Sequence, residues 1–218
     1  MSDTHRTTES LAPSAPAAGP KRPAATKREN VRSILSTVAV LLIAPLIAVV
    51  LTAFVFQSYQ VDGESMETTL QNNDRLIVWK VPRTISRISG HAYIPNRGDV
   101  VVFTEPSLDQ FGQDPSKQLI KRVVGLPGEK VVVKDGELIV YNLEHPDGFK
   151  PDKTLPYGDV IKNTTIENTW SVQEDQLFVV GDNRTNSMDS RTFGPIDAHN
   201  VVGKLVARVL PIGNVKRF

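Results

Sequence analysis

The chain has 218 residues and not one cysteine. Disulfide frameworks, cysteine nucleophiles and thiolate metal sites are therefore excluded, whatever the compartment. Histidine is scarce. His5, His91, His145 and His199 are scattered, with none of the close spacings of metal-binding pairs, so no metal site is expected. Net charge is also nearly missing, at +1, which argues against a nucleic-acid binder that relies on phosphate attraction. Large apolar residues are almost absent from the first ~30 residues, which are rich in Ala, Pro, Ser, Thr and Lys; such a segment cannot bury enough surface to offset its ordering entropy. Residues 1–32 are therefore expected to form a disordered basic tail.

Charge disappears altogether from residues 33–57, where Leu, Ile, Val, Ala and Phe dominate. A helix needs roughly 20 apolar residues to cross a bilayer, and this run is long enough. Pro45 falls inside it, which lipid-embedded helices tolerate. The run is too long and starts too late for a cleaved signal peptide. Lys21, Arg22, Lys27, Arg28 and Arg32 precede it, while Gln57, Ser58, Tyr59 and Gln60 follow. The positive-inside rule then predicts a single-pass anchor in the cytoplasmic membrane, with the N-terminus in the cytoplasm and residues 58–218 outside.

That outer segment, about 160 residues and a usual domain size, reads as mainly β. Short runs rich in Val, Ile and Phe occur at 75–80, 99–103, 119–124, 130–134, 137–141, 176–180 and 201–210, separated by Gly, Pro, Asn and Asp. Lys134-Asp-Gly-Glu137 between two of them is a hairpin signal. Helical periodicity is nearly absent after Phe56. The expectation is a partly closed antiparallel β-rich domain, with loops or a small lobe at 83–97 and a variable lobe at 142–169.

Just past the apolar run, on what reads as a short polar tether, stands Gly63-Glu-Ser-Met-Glu-Thr-Thr-Leu70. Ser65 is a candidate nucleophile; the alternative is an ordinary turn serine after Gly63. A serine needs a base, and Lys121 is the candidate. A free lysine at pH 7 is neutral in only about one molecule in 2,500. Burial disfavours the charged form. On a strand Lys121 shares its face with Leu119 and Val123, so such burial is available. Lowering its pKa to about 8 would cost roughly 3 kcal/mol. Nearby acids must then be paired elsewhere, because a free carboxylate would restore the charge. The alternative is a lysine that snorkels from a strand edge. A third stretch, Gly181-Asp-Asn-Arg-Thr-Asn-Ser-Met-Asp-Ser-Arg191, is a polar loop dense in charge.

Four blocks together resemble the type I signal peptidase (leader peptidase) family: 63–70, Arg97-Gly-Asp-Val-Val-Val-Phe103, Lys121-Arg-Val-Val-Gly-Leu-Pro-Gly128 and 181–191. They follow the family's order after the family's N-terminal anchor. The resemblance implies a serine endopeptidase that removes signal peptides from exported preproteins, cutting after small residues at the outer membrane surface. It implies Ser65 as nucleophile, Lys121 as general base, and Ser187 as the group that orients the lysine amine. Asp189 with Arg191, and Asp182 with Arg122, match the family's loop ion pairs. The backbone N–H of Ser65 is the nominated oxyanion donor, and Gly63 stands where some members carry a helping serine, so a second donor is unassigned. Thr68 replaces a frequent Pro and Thr185 a frequent Asp. No metal or cofactor is implied. The implied partners are preprotein signal peptides and the lipid bilayer, and the setting allows the secretion translocon; nucleic acid is not among them.

Two other readings stand beside this one. A self-cleaving Ser/Lys regulator akin to the SOS repressors would need a DNA-binding N-terminal domain and a soluble chain, and the apolar span counts against it. A non-enzymatic anchored β module would leave Ser65 and Lys121 structural. Trp79, and Leu108 with Phe111, are candidate interfacial anchors.

Overall fold

The computed structural model describes residues 27–156 and 166–218, with side chains described from residue 35 onward. The tail at 1–26 and the middle of the expected 142–169 lobe lie outside the described residues. The chain divides into two compact units, one ending at Leu46 and one spanning Ile47–Phe218.

Helix α1, Lys27–Val50, is continued by a wider π turn, Leu51–Val55. The apolar stretch Leu35–Val55 is long enough to cross a membrane, and it is apolar all round with exposed side chains. Phe56 and Gln57, the last residues of the expected 33–57 span, already belong to a strand.

That strand, β1 (Phe56–Gln60), occupies what read as a tether. It pairs antiparallel with β2 (Arg75–Trp79), Phe56 opposite Trp79 and Gln60 opposite Arg75. The ladder extends inward, since Val61 N–H donates to Asp74 O and Asn73 N–H to Val61 O. The segment carrying Ser65 is thus a loop closed at its base by a strand pair. Val61, Met66 and Leu70 pin it down by burying their side chains.

The remaining strands are β3 (Val100–Thr104), β4 (Gln118–Gly125), β5 (Lys130–Lys134), β6 (Glu137–Tyr141), β7 (Asn168–Ser171), β8 (Gln176–Val180), β9 (Ile196–Asp197), β10 (Val201–Leu210) and β11 (Lys216–Arg217). All paired strands are antiparallel. One sheet runs β1-β2-β10-β3-β4-β8-β9, with β11 beside β10, and curls into a half-barrel; the other runs β6-β5-β7. The β5–β6 turn carries Asp135 and Gly136 at φ 52° and 77°, the two positive values that a type I′ hairpin demands.

β3 reads Val-Val-Val-Phe rather than alternating, and all four are buried. The reason is a core on each face. Val101 and Phe103 pack with Val123, Leu177 and Val179 on one side, while Val100 joins Leu70, Leu76 and Leu205 on the other. A separate core, Val131, Val133, Leu138 and Val140 with Phe178, joins the small sheet to β8.

Three expectations are corrected. Val81–Ser89 forms helix α2, not loop, opened by Pro82 and closed by Gly90 at φ 75°. Its apolar positions Val81, Ile85 and Ile88 do follow helical spacing, in a stretch too short to stand out. The 142–169 stretch ends inside the small sheet, because Asn168 and Thr169 open β7 beside β5. Leu108 is 1% exposed and belongs to the interior, whereas Trp79 and Phe111 keep 37% and 40% of their surface open. A leucine so buried is no interfacial anchor.

Candidate active site

The closed β1–β2 loop brings half-buried Ser65 over β4. Lys121 sits on that strand opposite Val101 of β3. Its side chain is only 3% exposed, and its amine donates to Ser65 Oγ at 2.7 Å and to the Ile120 carbonyl at 3.0 Å. Burial pushes the amine down from its ordinary 10.5 to about 8, against the weaker opposing pull of Asp189 and Asp182. At that value about a tenth of the amines are neutral at pH 7, instead of about one in 2,500.

Both opposing acids are held by guanidinium groups. Arg122 donates through Nε to Asp182 Oδ1 at 2.8 Å and through Nη2 to Oδ2. Its Nη1 reaches the Gly98 carbonyl at 2.7 Å. Arg191 holds Asp189 by Nε at 2.8 Å and Nη2 at 2.7 Å, and Asp189 also accepts from the Gly181 N–H at 2.9 Å. A carboxylate inside such a fork is neutralised in place, so the amine keeps no carboxylate of its own.

The 181–191 segment is stitched directly to the Ser65 loop. Asn183 N–H donates to Ser65 O at 3.0 Å, and its side-chain amide donates to Glu64 O at 3.2 Å. Asn186 Nδ2 reaches the Glu64 carboxylate at 3.2 Å. The Ser65 N–H donates to no other described residue. Ser187 is brought beside this junction, but the expected hydrogen bond to the lysine amine is not formed. Its Oγ is buried without a partner among the described residues. The amine's two bonds run instead to Ser65 and to its own strand's carbonyl.

Some supporting residues were not read from the sequence. Thr69 donates its hydroxyl to Asp182 at 2.5 Å, and Arg184 pairs with Asp152 while its Nε donates to Gly181 O at 3.0 Å. These contacts join segments far apart in the chain, and no local pattern announces them. Beside the Ser65–Lys121 pair opens a cleft of about 320 Å³, walled on its apolar side by Leu76, Val102, Leu108 and Ile120.

Fold and site together define a class: a β-rich serine hydrolase in which an amine, not an imidazole, faces the hydroxyl. The family model described as signal peptidase, peptidase S26, matches residues 34–210. Signal peptidase I of Leptolyngbya laminosa is 31% identical over 92% of this chain and 91% of its own length. Signal peptidase I of Bacillus licheniformis is 30% identical over 88% and 96%, and signal peptidase I V of Bacillus subtilis 37% identical over 68% and 83%. The chain belongs to the signal peptidase I (peptidase S26) family, serine proteases that remove signal peptides from secreted preproteins.

Proposed function

We propose that Ser65 is the nucleophile and Lys121 the general base of this protease. The observation that carries the reading is the 2.7 Å approach of Ser65 Oγ to an amine that is 3% exposed. The neutral amine accepts the hydroxyl proton as Oγ bonds to the scissile carbonyl carbon. The resulting ammonium returns that proton to the leaving amine as the C–N bond breaks. Water then repeats the sequence on the acyl-enzyme, and Ser65 is restored. The Ser65 N–H, which has no acceptor among the described residues, is the donor for the developing oxyanion. Ser187 acts as a positioning residue for the amine, and the pairs Asp182–Arg122 and Asp189–Arg191 hold the loop that carries it.

Leu35–Val55 anchors the chain in the cytoplasmic membrane as a single pass. The basic residues ahead of it support a cytoplasmic N-terminus, with the β domain on the outer side. There the bilayer is a constant neighbour, the secretion translocon a supplier of substrate, and the cut falls after small residues. The test is cleavage of a preprotein with an A-x-A site by the full chain in detergent. Ser65→Ala and Lys121→Met should each abolish it, and wild-type cleavage should rise with pH through about 8 as Lys121 discharges. Activity surviving in either variant would overturn the assignment.

A further inference from the structure

From residue 75 to residue 98 there is no Asp or Glu, yet this stretch carries Lys80, Arg83 and Arg87. On and just before α2 the three cations fall at helical spacing along one stripe, bordering a second stripe of Val81, Ile85 and Ile88. Ile85 is 59% exposed and Ile88 83% exposed. Among the described residues, none of the three cations has a carboxylate beside it. Lys80 donates to the neutral Gln57 amide at 3.1 Å. Arg83 leaves its Nε buried without a hydrogen-bond partner among the described residues. Burial and then the neighbouring Arg87 charge hold Arg83 below its ordinary value, and burial and then Arg83 do the same for Lys80. Like charges so gathered call for an anion from outside the domain.

The position of α2 says which anion. Within the unit Ile47–Phe218, α2 is joined to the last turn of the apolar stretch: Lys80 N–H donates to Val55 O at 2.8 Å and Thr84 Oγ1 to Phe54 O at 3.2 Å. Phe54 itself is 54% exposed, as apolar groups at the end of a span would be. On the flank of α2 a hollow of about 270 Å³ is lined by Arg83, Ser86, Arg87, Tyr93 and His199, the last already bound to Asp197.

We infer that α2 is a lipid-docking element that lies in the bilayer interface, with Ile85 and Ile88 immersed and Arg83 and Arg87 binding the headgroup phosphates of acidic phospholipids. The arrangement has the features of an interfacial helix: an apolar stripe, a basic border and no acid. Long basic side chains reach up to the phosphates while their stems stay among apolar groups. The inference rests on Leu35–Val55 being a membrane span, since α2 is held to its final turn.

The absence of cysteine makes the experiment clean. The full chain carrying Ile88→Cys, Leu143→Cys or Leu42→Cys is labelled with a nitroxide and reconstituted into vesicles of phosphatidylcholine with or without phosphatidylglycerol. Collision with an aqueous nickel chelate reports exposure. The label at 88 should be shielded when phosphatidylglycerol is present and the label at 143, a fully exposed site, should stay open. Adding Arg87→Gln should weaken the docking roughly fivefold, the worth of one basic side chain near an anionic surface. A label at 88 as open as that at 143 in both vesicles, with position 42 shielded, overturns the docking and leaves the anchor intact. Shielding at 88 that ignores phosphatidylglycerol and Arg87→Gln overturns the headgroup recognition. An unshielded label at 42 defeats the membrane span, and the docking falls with it.

Discussion

Arg122 and Asp182 form a buried two-pronged pair on the residue that immediately follows Lys121 in β4. Consecutive strand residues point to opposite faces. One buried cation is therefore clamped by a carboxylate while its neighbour, one position away, is left to lose its proton. The Asp182 charge still reaches the amine and raises its pKa, but burial outweighs it. Arg122 is the cation that pairs with that charge.

Replacing Arg122 by Met should therefore do two things. Leaving Asp182 buried and unpaired should cost about 3–5 kcal/mol of stability. In the protein that still folds, the pH–rate profile should move to higher pH, because the unpaired carboxylate favours the ammonium form of Lys121. Thermal unfolding and a cleavage profile over neutral to alkaline pH check both. An unmoved profile would mean that Asp182 does not act on the amine.

Lys121 should itself be a stability liability. Its folded pKa of about 8 lies below the ordinary 10.5 of the unfolded chain. Between those values the folded state binds fewer protons, so stability rises with pH across the window. Below about 8 both states are protonated and the full cost stands, about 3 kcal/mol at 1.36 per unit. Lys121→Met should raise stability near pH 7 by about 1–3 kcal/mol, less than the full amount because two hydrogen bonds are lost. That gain should shrink towards about pH 10. Urea unfolding of both proteins at the two pH values decides it.

Most of the fold was legible because the strands speak locally: β5 and β6 are Val- and Ile-rich runs around an Asp-Gly turn, and each found its place. β1 was not, since Phe-Gln-Ser-Tyr-Gln is half polar and its apolar neighbours belong to a helix. α2 was missed because nine residues give only about two and a half periods of a helical pattern. In the site, Ser65 and Lys121 were nominated by residue type and resemblance, and the strand pairing brings them together. Arg184 with Asp152 and Thr69 with Asp182 were silent, because each contact is made by tertiary closure between segments that no short window contains.

Gly181 marks where that closure is tightest. A Cβ there would collide with the Ser65 carbonyl oxygen and the Ser187 hydroxyl. The first is backbone and cannot swing away. Gly181→Ala should push the Ser65 loop from β4 and lower cleavage by about a hundredfold, the usual result of a misplacement near 1 Å. Unfolding should show a loss of about 1–3 kcal/mol for the overpacking. Wild-type cleavage in a folded variant would show that the loop yields without disturbing Ser65.

Ser187 offers the sharpest separation of stability from activity. Its hydroxyl is buried with no partner among the described residues, a state that costs about 1–3 kcal/mol when a polar group is left unsatisfied. Ser187→Ala removes that group without adding volume, so the melting temperature should hold or rise. If Ser187 positions the Lys121 amine during reaction, as proposed, its loss should lower kcat up to about a hundredfold. The apparent pKa of cleavage should shift as well, since the amine loses a neighbour that its neutral and charged forms bind unequally. Melting curves and pH profiles on the same preparations discriminate the outcomes. A fall in melting temperature that tracks the fall in activity would make Ser187 a packing residue and nothing more.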